Sequence, residues 1–436
     1  MSLSVIILAA GKGSRMKSSL PKVFHGIGNY PMLYHVLDTS EKLNPKFITM
    51  VISDSLEKYR ESIKNKNSKV NFAEQKKQLG TAHAVMSAFS QKKILQSNET
   101  LILYADTPLI SAQNIRNCLK NFKKNNFDLC ILAMLAENTD NSYGRLIVSG
   151  KKLKKIVEKS ELNKDQKNIK LCNSGIMMVK TDILFECLKV IKNSNKKKEF
   201  YLTDLVEILS KKESKVSYFN CKLGETMGVN DKKELSILEK KFQSDKRENF
   251  LKKGVTLVDP ESVFFSKDTK IGKDVIIHPN VVFGPGVKIG NSVEIKSFSH
   301  LENTIIGENV SIGPFARLRD NTIIDKDTKV GNFVEIKKSK IAKNVKISHL
   351  SYLGDSTVKK NTNIGAGSIT CNYDGIKKNK TIIEENCFIG SNTSLIAPLK
   401  INKNSVIGAG TVVDKNIKEG TVVYRKSQLI KKNKRK

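Results

Sequence analysis

The sequence predicts an α/β domain followed by a parallel β-helix, over a chain of 436 residues. Three observations support this prediction. Short β-branched segments alternate with helical patterns up to about residue 228, a charged stretch follows, and apolar residues then recur every six positions after Gly254. A chain of this length also exceeds the size of one ordinary domain. We therefore expect an N-terminal domain over 1–228, a linker helix over 229–252 and a C-terminal domain over 253–436.

Five apolar segments of the N-terminal half are predicted to be buried strands, and three patterned segments to be helices between them. The strands are Val5–Ala9, Phe47–Ile52, Leu101–Ala105, Leu129–Leu135 and Ile176–Val179, and the helices are Met32–Leu43, Thr81–Phe89 and Leu202–Ser210. This alternation predicts a mostly parallel sheet. Such a sheet binds ligands beyond the carboxyl ends of its strands, so the loops after Ala9 and Ala105 are the candidate site.

The charged stretch predicts a connecting helix over about 231–252, because its apolar residues are spaced for one helical stripe. These residues are Leu235, Leu238, Phe242 and Leu251. Directly after it, from Gly254, the sequence becomes a hexapeptide repeat. The helix therefore separates two regions with different periods.

The hexapeptide repeat predicts a prism of short parallel strands. Aliphatic or aromatic residues fall at Ile271, Ile277, Phe283, Ile289 and Ile295, and the pattern continues to Val413. One side chain in six would point into the axis, and small or conformationally permissive residues beside it would turn the chain. Three repeats form a coil of about 18 residues, so residues 255–425 would give about nine coils. An ordinary β-sandwich would show a period of two.

The repeat breaks at 371–380, which predicts a loop that projects from the coil. Loops on a rigid scaffold are common binding sites. Solenoids of this type associate side by side through a flat face, and we expect a homotrimer.

The composition argues against other protein classes. No apolar segment approaches the roughly 20 residues of a membrane helix, and the N-terminus lacks the basic region of a signal peptide. The seven cysteines are odd in number and scattered, which favours reduced thiols in a cytoplasmic protein.

The net charge of +33 comes from 76 Lys+Arg against 43 Asp+Glu. Nucleic-acid or membrane-surface binding would call for clustered basic residues with interleaved aromatics, but the lysines are spread and only the tail at 431–436 is dense. We therefore expect no nucleic-acid partner, and a charge that attracts anionic substrates.

The first motif is Leu8-Ala9-Ala10-Gly11-Lys12-Gly13-Ser14-Arg15-Met16, followed by Pro21-Lys22. Backbone N–H groups of a glycine loop form an anion-binding nest, and Lys12, Arg15 and Lys22 add charge for phosphates. The spacing matches neither a Walker A loop nor a dinucleotide fingerprint. The alternative is a tight surface turn.

The second motif is Tyr104-Ala105-Asp106-Thr107-Pro108 at the end of a central strand. Mg²⁺ takes one or two carboxylates and completes its shell with phosphate oxygens and water, so Asp106 is a candidate ligand. The alternative is an Asp that caps the following helix.

The glycine motif resembles that of the sugar-nucleotide pyrophosphorylases. Together with the hexapeptide half, the whole chain is similar to the bacterial bifunctional family that joins N-acetylglucosamine-1-phosphate uridylyltransferase to glucosamine-1-phosphate acetyltransferase. The resemblance implies a Rossmann-like nucleotidyltransferase domain and a left-handed parallel β-helix. It further implies acetyl transfer from acetyl-CoA, then uridylyl transfer from UTP with Mg²⁺, giving UDP-N-acetylglucosamine for cell-envelope synthesis, including peptidoglycan and lipid A.

For uridylyl transfer, the resemblance implies catalytic Lys22 and Arg15, and Asp106 with Asn230 as metal ligands. It implies uracil contacts from Gln75, Gly80 and Thr81, and sugar contacts from Gly144, Glu158 and Asn173. Further contacts are implied at Leu8, Ala9, Ala10, Gly11, Tyr104 and Ala105. Ala105 stands where the family usually has glycine, and we expect its methyl group to crowd the nucleotide.

In the β-helix, aliphatic repeats do not call for a histidine, so His349 is predicted to point outward. A neutral imidazole there suits a general base, and the alternative is a hydrogen-bonded surface histidine. His278, His300 and His349 are too far apart in sequence for a typical zinc site.

For acetyl transfer, the resemblance implies that Arg319 and Lys337 bind the sugar phosphate. Lys378 is a further candidate residue of the β-helix site. It implies that Tyr352 and Asn363 bind the sugar, that Asn372 and Tyr373 lie near the thioester, and that Ala366, Ser391 and Ala409 line the acetyl-CoA site. An arginine near the C-terminus often completes this site in the family, and its match in this chain is either Arg425 or Lys426. The alternative function is a monofunctional nucleotidyltransferase whose β-helix is structural or regulatory.

Overall fold

The structure is a computed structural model that describes residues 2–137, 139, 141–150 and 152–426. The chain divides into two compact units, Met1–Phe242 and Gln243–Lys436. This division falls inside the helix Lys232–Lys252, which begins one residue after the predicted start at 231. The basic run at 431–436 lies outside the described residues. None of the described helices is long and apolar enough to cross a membrane.

The N-terminal unit alternates strands and helices. Its strands are β1 Leu3–Leu8, β2 Gly26–Ile27, β3 Tyr30–Pro31, β4 Phe47–Ile52, β5 Val70–Glu74, β6 Glu99–Tyr104, β7 Leu129–Leu135, β8 Arg145–Ser149, β9 Lys152–Val157, β10 Leu171–Lys180 and β11 Val216–Cys221. The helices are α1 Met32–Glu41, α2 Asp54–Glu57, α3 Arg60–Lys66, α4 Thr81–Ala88, α5 Ala112–Lys124, α6 Thr181–Leu188, α7 Asp204–Lys211, α8 Leu223–Thr226 and α9 Lys232–Lys252.

The main sheet has the strand order β11-β7-β10-β6-β1-β4-β5. Strand β10 runs antiparallel to β6 and β7, and the other neighbouring pairs on this path are parallel. The prediction of a mostly parallel sheet is confirmed. The five predicted strands are present, although the predicted Ile176–Val179 is only the inner part of the longer β10.

Strand β1 lies inside this sheet, between β6 and β4, and all six of its residues are buried. Its side chains alternate between two cores, with Ile6 and Leu8 in one and Val5 and Ile7 in the other. Both faces of the strand are therefore covered, which is why it is apolar at successive positions rather than at every second one.

The C-terminal unit is a coil of short strands. In chain order they are β12 Thr256–Leu257, β13 Lys270–Ile271, β14 Ile276–Ile277, β15 Val282–Phe283, β16 Lys288–Ile289, β17 Glu294–Ile295, β18 His300–Leu301, β19 Thr304–Ile306, β20 Ser311–Ile312, β21 Arg317–Arg319, β22 Thr322–Ile324, β23 Lys329–Asn332, β24 Glu335–Lys337, β25 Lys340–Ile341, β26 Lys346–His349, β27 Tyr352–Gly354, β28 Ser356–Val358, β29 Asn363–Ile364, β30 Ile369–Cys371, β31 Thr381–Ile383, β32 Phe388–Ile389, β33 Ser394–Ile396, β34 Leu399–Ile401, β35 Val406–Ile407, β36 Val412–Val413 and β37 Val422–Val423.

These strands form three parallel sheets, the three sides of a left-handed β-helix. Sheet 1 has the order β12-β14-β17-β20-β23-β26-β29-β32-β35-β37. Sheet 2 is β13-β16-β19-β22-β25-β28-β31-β34, and sheet 3 is β15-β18-β21-β24-β27-β30-β33-β36. The residues of the sixfold period fill the axis: Ile277, Ile295, Ile312, Val330 and Ile347 are fully buried in one core. The predicted prism is confirmed.

Asparagines turn several corners of the coil. Asn344, Asn361, Asn386 and Asn404 all have φ between 57° and 58°, a left-handed conformation that asparagine tolerates better than most residues. Their amides bond from coil to coil, with Asn344 Nδ2 donating to Asn361 Oδ1 at 2.9 Å, and Asn361 Nδ2 donating to Asn386 Oδ1 at 3.1 Å. We call these four residues the asparagine ladder. It joins successive coils along one edge of the prism.

The glycines that follow the repeat positions serve mainly close packing. A Cβ at Gly365 would lie 2.5 Å from the backbone N of Ser391, and one at Gly390 would lie 2.5 Å from the N of Ala409. Neither glycine has a positive φ. Sequence reasoning expected small residues to turn the chain, and the structure shows that these two instead let neighbouring coils approach.

The break in the repeat forms a projecting loop between β30 and β31. Residues 373–378 are exposed, and Ile376 is 92% exposed. Across the loop the asparagine ladder bonds residues 25 apart in sequence, whereas the neighbouring steps span 17 and 18 residues. The coil therefore resumes its register after the extra segment, as predicted.

Candidate active sites

The N-terminal unit contains a cavity of about 980 Å³ at the carboxyl ends of β1 and β6. Every residue predicted for the uridylyl site except Ala105 lines it. These residues are Leu8, Ala9, Ala10, Gly11, Arg15, Lys22, Gln75, Gly80, Thr81, Tyr104, Asp106, Gly144, Glu158, Asn173 and Asn230. Residues far apart in the chain are thus gathered at one edge of the sheet.

The glycine loop brings Lys22 into this cavity. Gly13 has φ +64° and precedes the short helical turn Ser14–Met16. A Cβ at Gly13 would lie 2.6 Å from Cβ of Lys22. Any other residue at position 13 would therefore meet both a strained backbone and a steric clash.

Lys22, Asp106 and Asn230 form a polar group at the centre of the cavity. The Lys22 ammonium donates to Asp106 Oδ2 at 2.5 Å and to Asn230 Oδ1 at 3.1 Å. Arg15 donates to the same Asn230 oxygen at 2.9 Å. The side chains of Lys22 and Asp106 are 12% and 23% exposed, so their ion pair is largely shielded from water.

These oxygens fit a magnesium ion. One carboxylate oxygen and one amide oxygen already face a single cation, the ammonium of Lys22. Mg²⁺ needs few protein ligands because phosphate oxygens and water complete its shell. Among the described residues, no group of three or more His, Cys, Asp or Glu could hold a metal.

A capping box fixes the backbone of Asn230 at the start of α9. Asp231 Oδ1 accepts a hydrogen bond from the N of Glu234 at 2.8 Å, and Glu234 Oε2 accepts one from the N of Asn230 at 2.6 Å. This reciprocal pair satisfies two backbone donors at the helix terminus. In addition, the N of Val229 donates to the carbonyl of Asp106 at 2.9 Å, which joins the two segments.

Gln75, Gly80 and Thr81 form one end of the cavity. Gln75 is buried, and its Nε2 donates to the carbonyl of Gly80 at 3.1 Å. Gly80 has φ +113°, and a Cβ there would lie 2.5 Å from the carbonyl oxygen of Phe200. Thr81 Oγ1 accepts from the N of Leu202 at 3.0 Å. This end presents amide and hydroxyl groups that can pair with the polar edge of a base.

Glu158 and Asn173 also line the cavity. Thr203 donates to Glu158 Oε1 at 3.0 Å. Burial raises the pKa of Glu158 above its ordinary value, and the Thr203 hydrogen bond opposes that rise. Asn173 stands at an irregularity in the pairing of β10 with β7, and its Oδ1 accepts from the N of Gly175 at 2.9 Å. The strand distortion directs this side chain to the cavity.

Tyr104 is a further lining residue of the cavity. Burial raises the pKa of its hydroxyl, and Glu158 and Asp106 add to the effect because a phenolate would face two carboxylates. A Cβ at Gly175 would lie 2.8 Å from the Tyr104 ring, so glycine makes room for it. The tyrosine therefore stays neutral and can donate a hydrogen bond.

Sequence reasoning missed a segment that also lines the cavity, from Lys197 to Thr203. It is held by backbone hydrogen bonds from Phe200 N to Leu79 O at 2.8 Å and from Ala82 N to Phe200 O at 2.9 Å. Only the run Glu199-Phe200-Tyr201 directly before a helix hinted at it. The contact depends on pairing between segments more than 100 residues apart, which no local pattern shows.

The expectation that Ala105 crowds the nucleotide is wrong. Ala105 is fully buried and packs in the core with Leu103, Cys130, Leu132 and Ile176. It does not line the cavity. Its neighbours Tyr104 and Asp106 line the cavity, while the methyl group of Ala105 packs into the core.

The second candidate site lies on the β-helix, along the end of sheet 1. Asn332 pairs with His349 in the neighbouring strand. The same strand register, continued through the later coils, aligns one residue of each coil with this pair. We call this the corner row, and its members are Asn332, His349, Ala366, Ser391, Ala409 and Arg425. The register puts Arg425, and not Lys426, in line with the small residues.

His349 is exposed, as predicted, and its Nδ1 contacts Oδ1 of Asn332. An amide oxygen only accepts, so the imidazole carries its hydrogen on Nδ1 when neutral. This leaves Nε2 as a proton acceptor. Asn332 was not predicted from sequence, although it occupies the position of His349 one coil earlier.

A group of cations lies on sheet 3. Arg319 and Lys337 are register partners in successive coils, and Lys378 approaches from the projecting loop. Lys378 lowers the pKa of Lys337, and burial and Arg319 act in the same direction. Arg319 is held by Glu335 at 2.7 Å and by Asp320 at 3.0 Å. An anion placed here would relieve the repulsion among the three cations.

Tyr352 and Asn372 meet at Gly354 in the same sheet. A Cβ at Gly354 would lie 2.5 Å from the Tyr352 hydroxyl and 2.6 Å from Asn372 Nδ2. Asn372 also donates to Asp355 Oδ2 at 2.6 Å. Two predicted residues stand apart from this cluster: Asn363 is on sheet 1, paired with Lys346 and Phe388, and Tyr373 is 60% exposed on the loop.

Comparisons with known proteins match both units. Residues 5–168 match the MobA-like NTP transferase domain. Residues 268–303 and 303–338 match the bacterial transferase hexapeptide, and residues 380–415 match the hexapeptide repeat of succinyl-transferase. The two halves thus match models of transferase domains with different architectures.

Curated relatives cover nearly the whole chain. Bifunctional protein GlmU of Zymomonas mobilis is 40% identical over 428 residues, which are 98% of this chain and 94% of the relative. Bifunctional protein GlmU of Paramagnetospirillum magneticum is 41% identical over 98% of this chain and 94% of the relative. That of Thermosipho africanus is 42% identical over 96% of this chain and 94% of the relative. The chain belongs to the family of bifunctional GlmU proteins, and the prediction of a nucleotidyltransferase joined to an acetyltransferase is confirmed.

Proposed function

We propose that the protein acetylates glucosamine-1-phosphate with acetyl-CoA on the β-helix, and then couples the product to UTP in the N-terminal cavity. The product would be UDP-N-acetylglucosamine, with pyrophosphate released. The observation that carries the proposal is that the residues predicted for uridylyl transfer line one cavity of the N-terminal unit, while residues predicted for acetyl transfer recur in register on the coils of the β-helix.

In the acetyl-transfer step, His349 is the general base. Its Nε2 takes a proton from the amine of the sugar while the amine nitrogen attacks the thioester carbonyl carbon. The carbon–sulfur bond then breaks, and coenzyme A leaves as a thiolate that takes up a proton. Arg319, Lys337 and Lys378 hold the sugar phosphate, and the corner row beyond His349 provides a surface of small side chains for the pantetheine arm, ending at Arg425.

In the uridylyl-transfer step, a phosphate oxygen of N-acetylglucosamine-1-phosphate attacks the α-phosphorus of UTP. The bond to the β-phosphate oxygen breaks, and pyrophosphate leaves. No protein nucleophile is needed, because positioning and charge neutralisation supply the catalysis. Lys22 and Arg15 neutralise phosphate charge, Gln75, Gly80 and Thr81 contact uracil, and Gly144, Glu158 and Asn173 hold the sugar.

Asp106 and Asn230 would hold a magnesium ion in this cavity. When bound, the ion would neutralise charge on the phosphates of UTP. Lys22, which contacts both oxygens, would then turn its ammonium toward the phosphates. The short contacts of Lys22 with Asp106 and Asn230 support this arrangement, since they bring both oxygens to one cation.

We further propose a homotrimer. Phe298, Phe315 and Phe333 stack on a corner of the β-helix with ring centroids 4.9 and 5.0 Å apart. They are 53%, 45% and 52% exposed, and each has a positive φ. An exposed aromatic column is a surface that a second copy would cover. Phe333 follows Asn332 directly, so the neighbouring copy would border the acetyl-transfer site. Light scattering of the purified protein measures the mass.

The activities are tested by two assays on one preparation. Thiol release from acetyl-CoA with glucosamine-1-phosphate reports the first step, and pyrophosphate release from UTP with N-acetylglucosamine-1-phosphate and Mg²⁺ reports the second. Both activities in the wild type support the proposal. Pyrophosphate release without thiol release would leave the β-helix as a structural or regulatory domain.

A further inference from the structure

A hydrogen bond joins the two segments that carry Lys22 and Asn230. His25 directly follows the helical turn Lys22–Phe24, and Lys232 is the first residue of α9. The Lys232 ammonium lies 3.0 Å from Nδ1 of His25, across 207 residues of sequence. An ammonium can only donate, so Nδ1 is the acceptor and the imidazole is neutral.

The surroundings of His25 keep it in this state. The residue is 8% exposed. Burial lowers the pKa of His25 and the charge of Lys232 lowers it further, against a smaller opposing effect of the Leu20 carbonyl. The backbone N of His25 also donates to the carbonyl of Lys22 at 3.3 Å, so the ring and the catalytic lysine share one rigid turn.

The two segments meet again inside the cavity, where the Lys22 ammonium donates to Asn230 Oδ1. That second contact is made by the Lys22 ammonium, which would leave Asn230 when it turns toward a phosphate. The link between His25 and Lys232 lies outside the cavity, because neither residue lines it. It would therefore persist when Lys22 turns toward a phosphate.

We propose that His25 and Lys232 are positioning residues for uridylyl transfer, which hold Lys22 and Asn230 at a fixed separation while substrate is bound. The inference rests on the proposed function of the N-terminal site. Because a misplacement of about 1 Å can cost a hundredfold in rate, loss of the link should reduce turnover without removing any group that touches the substrate.

The test uses the full-length protein and three variants. Lys232→Met removes the donor and keeps the length of the side chain, Lys232→Arg restores a donor, and Lys233→Met is a control at the next, exposed position of the same helix. We expect Lys232→Met to lower kcat of pyrophosphate release about tenfold and to raise the magnesium concentration for half-maximal rate, because Asn230 is no longer held in place. Lys232→Arg should recover most of both, and Lys233→Met should match the wild type.

Acetyl transfer is measured in parallel and should not change in any variant. A Lys232→Met enzyme with wild-type kcat and magnesium dependence would overturn the inference, and so would a loss that Lys232→Arg does not recover. A lower melting temperature with unchanged kinetics would show that the link is only structural. Absence of pyrophosphate release from the wild type would instead refute the proposed function.

Discussion

The two candidate sites are built in opposite ways. In the N-terminal unit, loops from several strands converge on a cavity whose central ion pair is largely shielded from water. On the β-helix, a regular scaffold displays its residues in an open row, one from each coil. The first site therefore depends on long-range contacts between irregular segments, and the second on the register of a repeat.

This difference predicts how each site responds to substitution. A change in the cavity disturbs several side chains at once, because Lys22 contacts both Asp106 and Asn230. A change in the corner row removes one local contact and leaves the neighbouring coils in place, since each coil contacts mainly its neighbours. The following predictions test the contrast, beginning with the largest expected effect.

His349→Ala should lower the rate of acetyl transfer about a thousandfold, because a general base contributes on this scale. The change should leave pyrophosphate release unaltered. His300→Ala is the matched control, since His300 is also exposed on the outside of the coil. Steady-state thiol release measures the effect, and a His300→Ala variant as slow as His349→Ala would remove the special role of the corner row.

Asp106→Asn should lower kcat of uridylyl transfer about a hundredfold with acetyl transfer unchanged. The substitution keeps the shape of the side chain and removes the negative charge that faces Lys22. Asp182→Asn, an exposed aspartate at the start of α6, serves as control. Added Mg²⁺ should recover part of the loss. If pyrophosphate release were unchanged, Asp106 could not be a metal ligand.

Arg425→Ala should raise KM for acetyl-CoA about tenfold, the expected cost of one charged hydrogen bond, while kcat changes little. Lys426→Ala should have no effect, because the register leaves it out of the corner row. The paired measurement decides which residue completes the acetyl-CoA site. An effect confined to Lys426→Ala would show that the strand register near the C-terminus does not continue past Val423.

Asn361→Ala should destabilise the β-helix by about 2 kcal/mol. It removes two side-chain hydrogen bonds, and alanine lacks the polar side chain that helps asparagine to adopt φ 58°. Asn361→Gly should cost about half as much, since glycine adopts this conformation freely. Urea unfolding followed by circular dichroism measures both. Equal losses in the two variants would mean that the backbone conformation contributes nothing.

The sequence was most informative where the structure repeats. The sixfold period identified the buried axis, and the positions of Ala366, Ser391 and Ala409 align in the corner row. The same counting could have found Asn332, which lies one coil before His349. In a repeat, the sequence distance between two residues sets their distance in space.

The N-terminal site could be predicted only in part. The glycine loop and Asp106 follow strand ends, so local patterns were sufficient to find them. The segment containing Tyr201 and Thr203 was missed, because its place depends on pairing with residues 79–82. The side-chain direction of Ala105 was also missed. Polar and apolar residues do not alternate in a strand that is buried on both faces, so the sequence does not show to which side a residue points.

The projecting loop shows that the coil tolerates extra chain at one corner. Pairing resumes in register beyond it, and the asparagine ladder continues across the gap. Because Ile376 at its tip is almost fully exposed, a foreign peptide inserted there would leave the stacked coils intact while lying near the predicted phosphate-binding cations. The same corner is thus a place where extra chain can be added beside the cations without rebuilding the stacked coils.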